Sequence, residues 1–139
     1  MKIARISFLT GTVFFGIICG LGHLTFELLE EKQQDVVEKL KELTVVFPDR
    51  ESDMFLLTTG FSLLMGVMLL AYGIINLLLT VKNKKFQLPS KTIVLANLVF
   101  SFIAFTIAYQ YFFIFPIACT GIAMLCFLIS LILYNRSSY

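Results

Sequence analysis

The chain's single histidine, His23, closes the tetrapeptide Gly20-Leu21-Gly22-His23, and Glu27 follows four residues later. On a helix that spacing places imidazole and carboxylate on one face, one turn apart. Such a pair can relay a proton, hold the polar group of a ligand or contribute to a metal site. Two ligands are too few for a metal centre, and no further His or Cys lies at their level, so neither a metal nor a cofactor is expected. Thr58, Thr59, Tyr109 and Gln110 fall at the same level and complete a candidate polar cluster around His23 and Glu27. A second polar layer holds Asn76, Asn97 and, one turn beyond Asn97, Ser101. Cys19, Cys119 and Cys126 all sit in apolar runs at spacings that fit no zinc or disulfide framework, as expected of small packing residues. No phosphate-binding loop, catalytic triad or nucleotide fingerprint occurs, so no catalytic residue is assigned.

The elements that must position these residues follow from composition. Of 139 residues, 58% are apolar, and the mean hydropathy is +0.90, whereas a soluble domain holds about 45–50% apolar residues. All nine acidic residues lie between Glu27 and Asp53, and the basic residues are clustered as well. The uncharged runs between are long enough for helices that cross a bilayer, which takes about 20 residues. The chain therefore reads as all-α, a four-helix transmembrane bundle forming a single membrane domain. Its spans cover about 6–27, 54–80, 92–113 and 115–134, with an external loop 28–53 and a cytoplasmic loop 81–91. Pro89 and Ser90 open the third span and Pro116 the fourth, a position that tolerates proline. The last two spans must form a tight helical hairpin.

Orientation follows from lysine and arginine in short loops. Lys2 and Arg5, the group Lys82, Lys84, Lys85 and Lys91, and Arg136 all fall on one side if the spans are four. That side is read as cytoplasmic, with both termini on it, in the inner membrane of a bacterium. Tyr109, Tyr111, Phe112, Phe113 and Phe115 would mark the outer interface, and Tyr134 and Tyr139 the inner one. A cleaved signal peptide is the alternative for the first segment. No small-x-small site follows it, and Ile17 and Ile18 precede Cys19 where a lipoprotein site would need a small residue. Within the external loop, Leu29, Val36, Val37, Leu40 and Leu43 recur at near-helical spacing, and Asp35 precedes Lys39 by one turn. The pattern predicts an amphipathic extracytoplasmic helix within Leu28–Phe47, ended by Pro48, on the membrane surface or capping the bundle.

At membrane depth ionisable residues are costly and often functional. The competing reading places Glu27 in the interface already and has His23 bond to a neighbouring helix. Asn76, Asn97 and Ser101 read as polar residues that fix helix register. No acid or base occupies the middle of a span, which speaks against a continuous proton path. Gly16 and Gly20 form a GxxxG, with Gly11 in the same region. Gly60, Gly66 and Gly73 lie along the second span with Ser62 and Ala71 among them. Either self-association or packing of spans one and two explains these small residues. Asn135-Arg136-Ser137 matches a glycosylation acceptor but lies on the cytoplasmic side and is discounted.

Through Gly20-Leu-Gly-His23, Gly60-Phe-Ser-Leu-Leu-Met-Gly66 and Tyr72-Gly73, the chain resembles a group of small bacterial four-span membrane proteins. In outline it also looks like the DoxX-type four-helix membrane proteins. The resemblance covers most of the chain in topology and implies a four-span fold. It carries no activity and no catalytic residue across, and points only to His23. Three functions remain open. The first is a non-enzymatic accessory or scaffold subunit that binds other membrane proteins or itself. The second is a binder of a lipid or quinone around His23 and Glu27. The third is a His/Glu-based enzyme or proton-coupled transporter. The lipid bilayer is the one certain partner, and nucleic acid is excluded because no basic stripe with interleaved aromatics exists.

Overall fold

A computed structural model of the chain describes residues 2–29, 33–48, 51–81 and 88–136. Lys82, Lys84, Lys85 and Tyr139, which carry part of the orientation argument, lie outside the described residues. Among the described residues four helices are long and apolar enough to cross a membrane. Helix α1 covers Lys2–Leu29. A short helix α2, Gln34–Glu42, and two strands, β1 Thr44–Val46 and β2 Glu51–Asp53, follow it. Helices α3 (Met54–Val81), α4 (Lys91–Tyr111) and α5 (Ile114–Arg136) complete the bundle. Each span closes its own backbone hydrogen bonds, as hydrocarbon requires.

The sequence explains the helix ends. Asp53 caps α3, its Oδ1 accepting the Leu56 N–H at 2.7 Å. Ser90, after Pro89, caps α4. That helix stops where Phe112 turns extended, its N–H bonded back to the Ala108 carbonyl at 2.9 Å. Helix α5 starts two residues later, with Pro116 in its first turn. At the other end of the bundle, Arg5 donates from Nη2 to the Thr80 carbonyl at 3.2 Å, placing a cation on the C-terminal turn of α3.

Helix α1 is not uniform. Val13–Ile18 forms a π-helical segment, with i→i+5 bonds that add a residue to the turn. Among its buried positions Ala4, Phe8, Thr12, Gly16 and Gly20 are spaced by four, with Gly11, Phe15 and Cys19 buried beside them. In a regular helix of 3.6 residues per turn that stripe would wind around the axis. The wider turn holds it toward the bundle and divides the work of the helix. Its first half packs on α5 and its second half on α3. In the first half Phe8 and Phe127 are fully buried with ring centroids 5.4 Å apart. In the second, Gly16 meets Gly73 so closely that a Cβ on Gly16 would lie 2.3 Å from the Gly73 Cα. Gly16 and Gly20 of span one and Gly66 and Gly73 of span two are thus spent on each other, whereas Gly11 and Gly22 meet α5 and Gly60 faces open space.

The external loop departs from expectation. The single helix within Leu28–Phe47 is replaced by three pieces: the end of α1, the short α2 and strand β1, which pairs antiparallel with β2. Leu43 is already extended, and Thr44, Val45 and Val46 are β-branched, a run that fits a strand better than a helix. Pro48 sits after β1, not at a helix end. Helix α2 has no buried residue and packs beside α3 and β2.

Helix α1 lies between α3 and α5, and α4 packs on α5. Helices α3 and α4 approach chiefly through side chains. Asn97 Nδ2 donates to Asn76 Oδ1 at 3.2 Å, and the Tyr72 hydroxyl donates to Asn97 Oδ1. This bridge stands in the half of the bundle that carries the termini, where Phe8, Val94, Ala123 and Phe127 also form the core. In the half that carries the external loop, α3 and α4 stand apart.

Candidate functional site

Where the two helices part, the loop half of the bundle encloses a cavity of about 420 Å³. Phe15, Cys19, Gly22, His23, Phe26 and Glu27 of α1 form one wall, and Ser62, Met65 and Leu69 of α3 another. Ala104, Ile107, Ala108 and Tyr111 of α4 face them, and Phe115, Pro116 and Thr120 of α5 close the remaining side. The spacings 104, 107, 108, 111 and 62, 65, 69 each mark one face of a helix. Phe15, on the cavity wall, stands edge-on to Tyr72, with centroids 5.3 Å apart, and Tyr72 belongs to the polar bridge between α3 and α4.

Three of its polar side chains, His23, Ser62 and Glu27, meet in one corner, while Tyr111 and Thr120 stand on the α4 and α5 walls. Ser62 Oγ donates to Glu27 Oε2 at 2.7 Å. His23 Nε2 lies 2.9 Å from the Ser62 carbonyl oxygen and 2.9 Å from Ser62 Oγ. A carbonyl only accepts, so Nε2 carries the imidazole proton. The corner is therefore a directed chain, from the His23 N–H to Ser62 and from the Ser62 hydroxyl to the Glu27 carboxylate. In a nucleophilic serine triad the imidazole instead takes the proton of the serine. The arrangement here runs the opposite way and does not activate Ser62 through His23.

Glycines bring these groups together. A Cβ on Gly66, one turn from Ser62, would meet the Leu24 side chain at 2.6 Å and His23 Cδ2 at 3.3 Å. A Cβ on Gly22 would meet the Phe115 ring at 2.6 Å. The Gly20-Leu21-Gly22-His23 segment thus presses the imidazole edge against α3 and admits an aromatic wall from α5.

The structure separates the other expected cluster members from this corner. Tyr109 is 72% exposed and Gln110 is exposed, because the face of α4 turned to the cavity is that of Ile107, Ala108 and Tyr111. Thr58 is exposed and bonds back to the Met54 and Phe55 carbonyls of its own helix at 2.9 and 3.1 Å. Thr59 is half-buried, off the cavity wall. Asn76 and Asn97 are joined across helices, as the bridge shows, whereas Ser101 bonds within its own helix to the Leu98 carbonyl at 2.9 Å. Ser62 and Tyr72, read from sequence only as neighbours of packing glycines, both take part in polar contacts between helices. Among the described residues no three His, Cys, Asp or Glu side chains are grouped to hold a metal ion. Compared with known proteins, the chain matches no family model, no curated relative and no solved structure.

Proposed function

We propose that this chain is a multi-pass membrane protein that holds a small, largely apolar molecule, a lipid or a quinone, with its polar end at His23, Ser62 and Glu27. The observation that carries the reading is the cavity of about 420 Å³ with apolar walls and one polar corner. Small-molecule sites have this composition and a volume of roughly 300–1,000 Å³. The opposed glycines of α1 and α3 favour it further, since they serve packing within one chain and leave less reason to invoke self-association. To test it, the protein is purified in mild detergent and its organic extract analysed by mass spectrometry. A single apolar species should be enriched over bulk lipid, and an Ala104→Phe variant, which fills the cavity, should lose it while keeping its thermal stability. Equal extracts from both proteins would defeat the reading.

The accessory-subunit reading rests on a different observation. Val36, Leu43 and Val46 are 45%, 56% and 71% exposed outside the spans, an apolar strip that a membrane surface or another protein would cover. A chain that leaves the membrane only within a larger complex would favour that function.

For orientation we infer a bacterial cytoplasmic membrane with both termini inside. Lys2, Arg5 and Lys91 lie at one end of the bundle and the described acids Glu27, Asp35, Glu38, Glu42, Glu51 and Asp53 at the other. A green fluorescent protein fused after Tyr139 should fluoresce and an alkaline phosphatase fused there should be inactive. The reverse pattern would invert the topology.

A further inference from the structure

Resting on the reading of the cavity as a ligand site, the hydrogen-bond directions in its corner say what kind of ligand it takes. Each polar side chain there already has its proton committed. The His23 Nε2 proton is held by the Ser62 carbonyl and hydroxyl oxygens, both at 2.9 Å. The Ser62 proton goes to Glu27 Oε2 at 2.7 Å. Thr120, on the α5 wall, gives its proton to the Pro116 carbonyl at 2.7 Å. What His23, Ser62 and Glu27 offer a ligand is lone pairs, while the weak Cys19 thiol and the Tyr111 hydroxyl, which also line the cavity, are donors outside this corner. His23 Cδ2 is the ring edge nearest α3, so Nδ1 lies on the ring's opposite side, and no described residue bonds it. In the neutral ring that nitrogen is an acceptor. Glu27, already engaged by Ser62, places a carboxylate charge beside the imidazole, which disfavours anions. Pro116 has no N–H to offer. The first amides of α5 belong to Ile114 and Phe115, which are 77% and 41% exposed. The Tyr111 hydroxyl belongs to a side chain 77% exposed.

We propose that the cavity selects molecules whose polar end is a neutral hydroxyl donor on an apolar body, that His23 Nδ1 accepts the hydroxyl proton, and that carboxylates and phosphates are rejected. Phe15, Phe26 and Phe115 on the walls suit an aromatic ring carrying that hydroxyl, since aromatic rings pack favourably edge to face and offset. An acceptor-only head such as a ketone, an ether or an oxidised quinone finds no proton in the corner, and a buried polar group without a partner costs binding, so of a quinone couple the site takes the hydroquinone and of lipids those with a neutral hydroxyl.

The test uses the full chain in nanodiscs and three radiolabelled probes of one shape: 4-nonylphenol, its methyl ether and 4-nonylbenzoate. Empty nanodiscs measure partition into lipid, and the saturable excess measures the site. The phenol should bind about tenfold more tightly than the ether, the equivalent of one hydrogen bond, and the benzoate more weakly than both. A His23→Phe variant should bind phenol and ether alike, and its retained ether binding shows that the cavity is formed. Equal affinity of wild type for phenol and ether, or tightest binding of the benzoate, would overturn the donor rule and leave the ligand site standing. No saturable binding of any probe would overturn both.

Discussion

Ser62 has one hydroxyl and two charged or polar partners, and that makes it the hinge of the site. It joins His23 and Glu27 of α1 to α3 at 2.9 and 2.7 Å. Hydrogen bonds across membrane helices contribute about 0.6 kcal/mol on average and up to about 1.7. Replacing Ser62 by alanine also leaves the His23 N–H with the carbonyl alone. Ser62→Ala should therefore lower unfolding stability by about 1–2 kcal/mol in a denaturing-detergent titration, and Thr58→Ala, whose hydroxyl bonds only its own helix, by less than about 0.5. Equal losses would mean that the Ser62 contacts carry no energy. At this scale the sequence disclosed half of the site. His23 and Glu27 are legible because one turn on one helix fixes their relation. Ser62 is not, because its place depends on the register of α1 against α3, which the sequence does not display. Tyr109 and Gln110 share the depth of His23 but not its direction. Depth follows from counting along a span, whereas direction depends on which face of α4 meets α5.

The spans are the most legible elements, since length, hydropathy and the placement of charge all speak for them. The π turn of Val13–Ile18 is not, because α1 is apolar on nearly every side and its period is masked. In the external loop the heptad-like spacing of Leu29 to Leu43 overstated the helix, and the β-branched run Thr44–Val46 decided its end. Element packing makes a paired prediction about glycine. Gly16→Ala drives a methyl into the backbone of Gly73, at 2.3 Å from its Cα, where no side chain can swing away. It should cost about 1–3 kcal/mol or more. Gly60 has nothing within 4 Å of an added Cβ, and Gly60→Ala should gain up to about 1 kcal/mol from helix propensity. Thermal unfolding of the two variants separates these cases, and a tolerated Gly16→Ala would refute the close crossing of α1 and α3.

As a whole, the molecule is tight at the end bearing the termini and open at the end bearing the loop. Phe8, Val94 and Phe127 are fully buried in the first half, and the Asn76–Asn97 bridge ties α3 to α4 there. Beyond that bridge the small side chains of Ala104 and Ala108 leave the gap unfilled, and the cavity results. Neither the order of the helices nor the separation of α3 from α4 can be read along the chain, because both arise from contacts between spans that look alike in composition. The function argued here depends on that gap being occupied. The most direct measurement is native mass spectrometry of the chain extracted gently from its own membrane, beside the Ala104→Phe variant. The wild-type chain should carry one apolar molecule that is released on activation, and the variant should show bare mass. A wild-type chain of bare mass, or one held by partner chains with no small molecule retained, would contradict it.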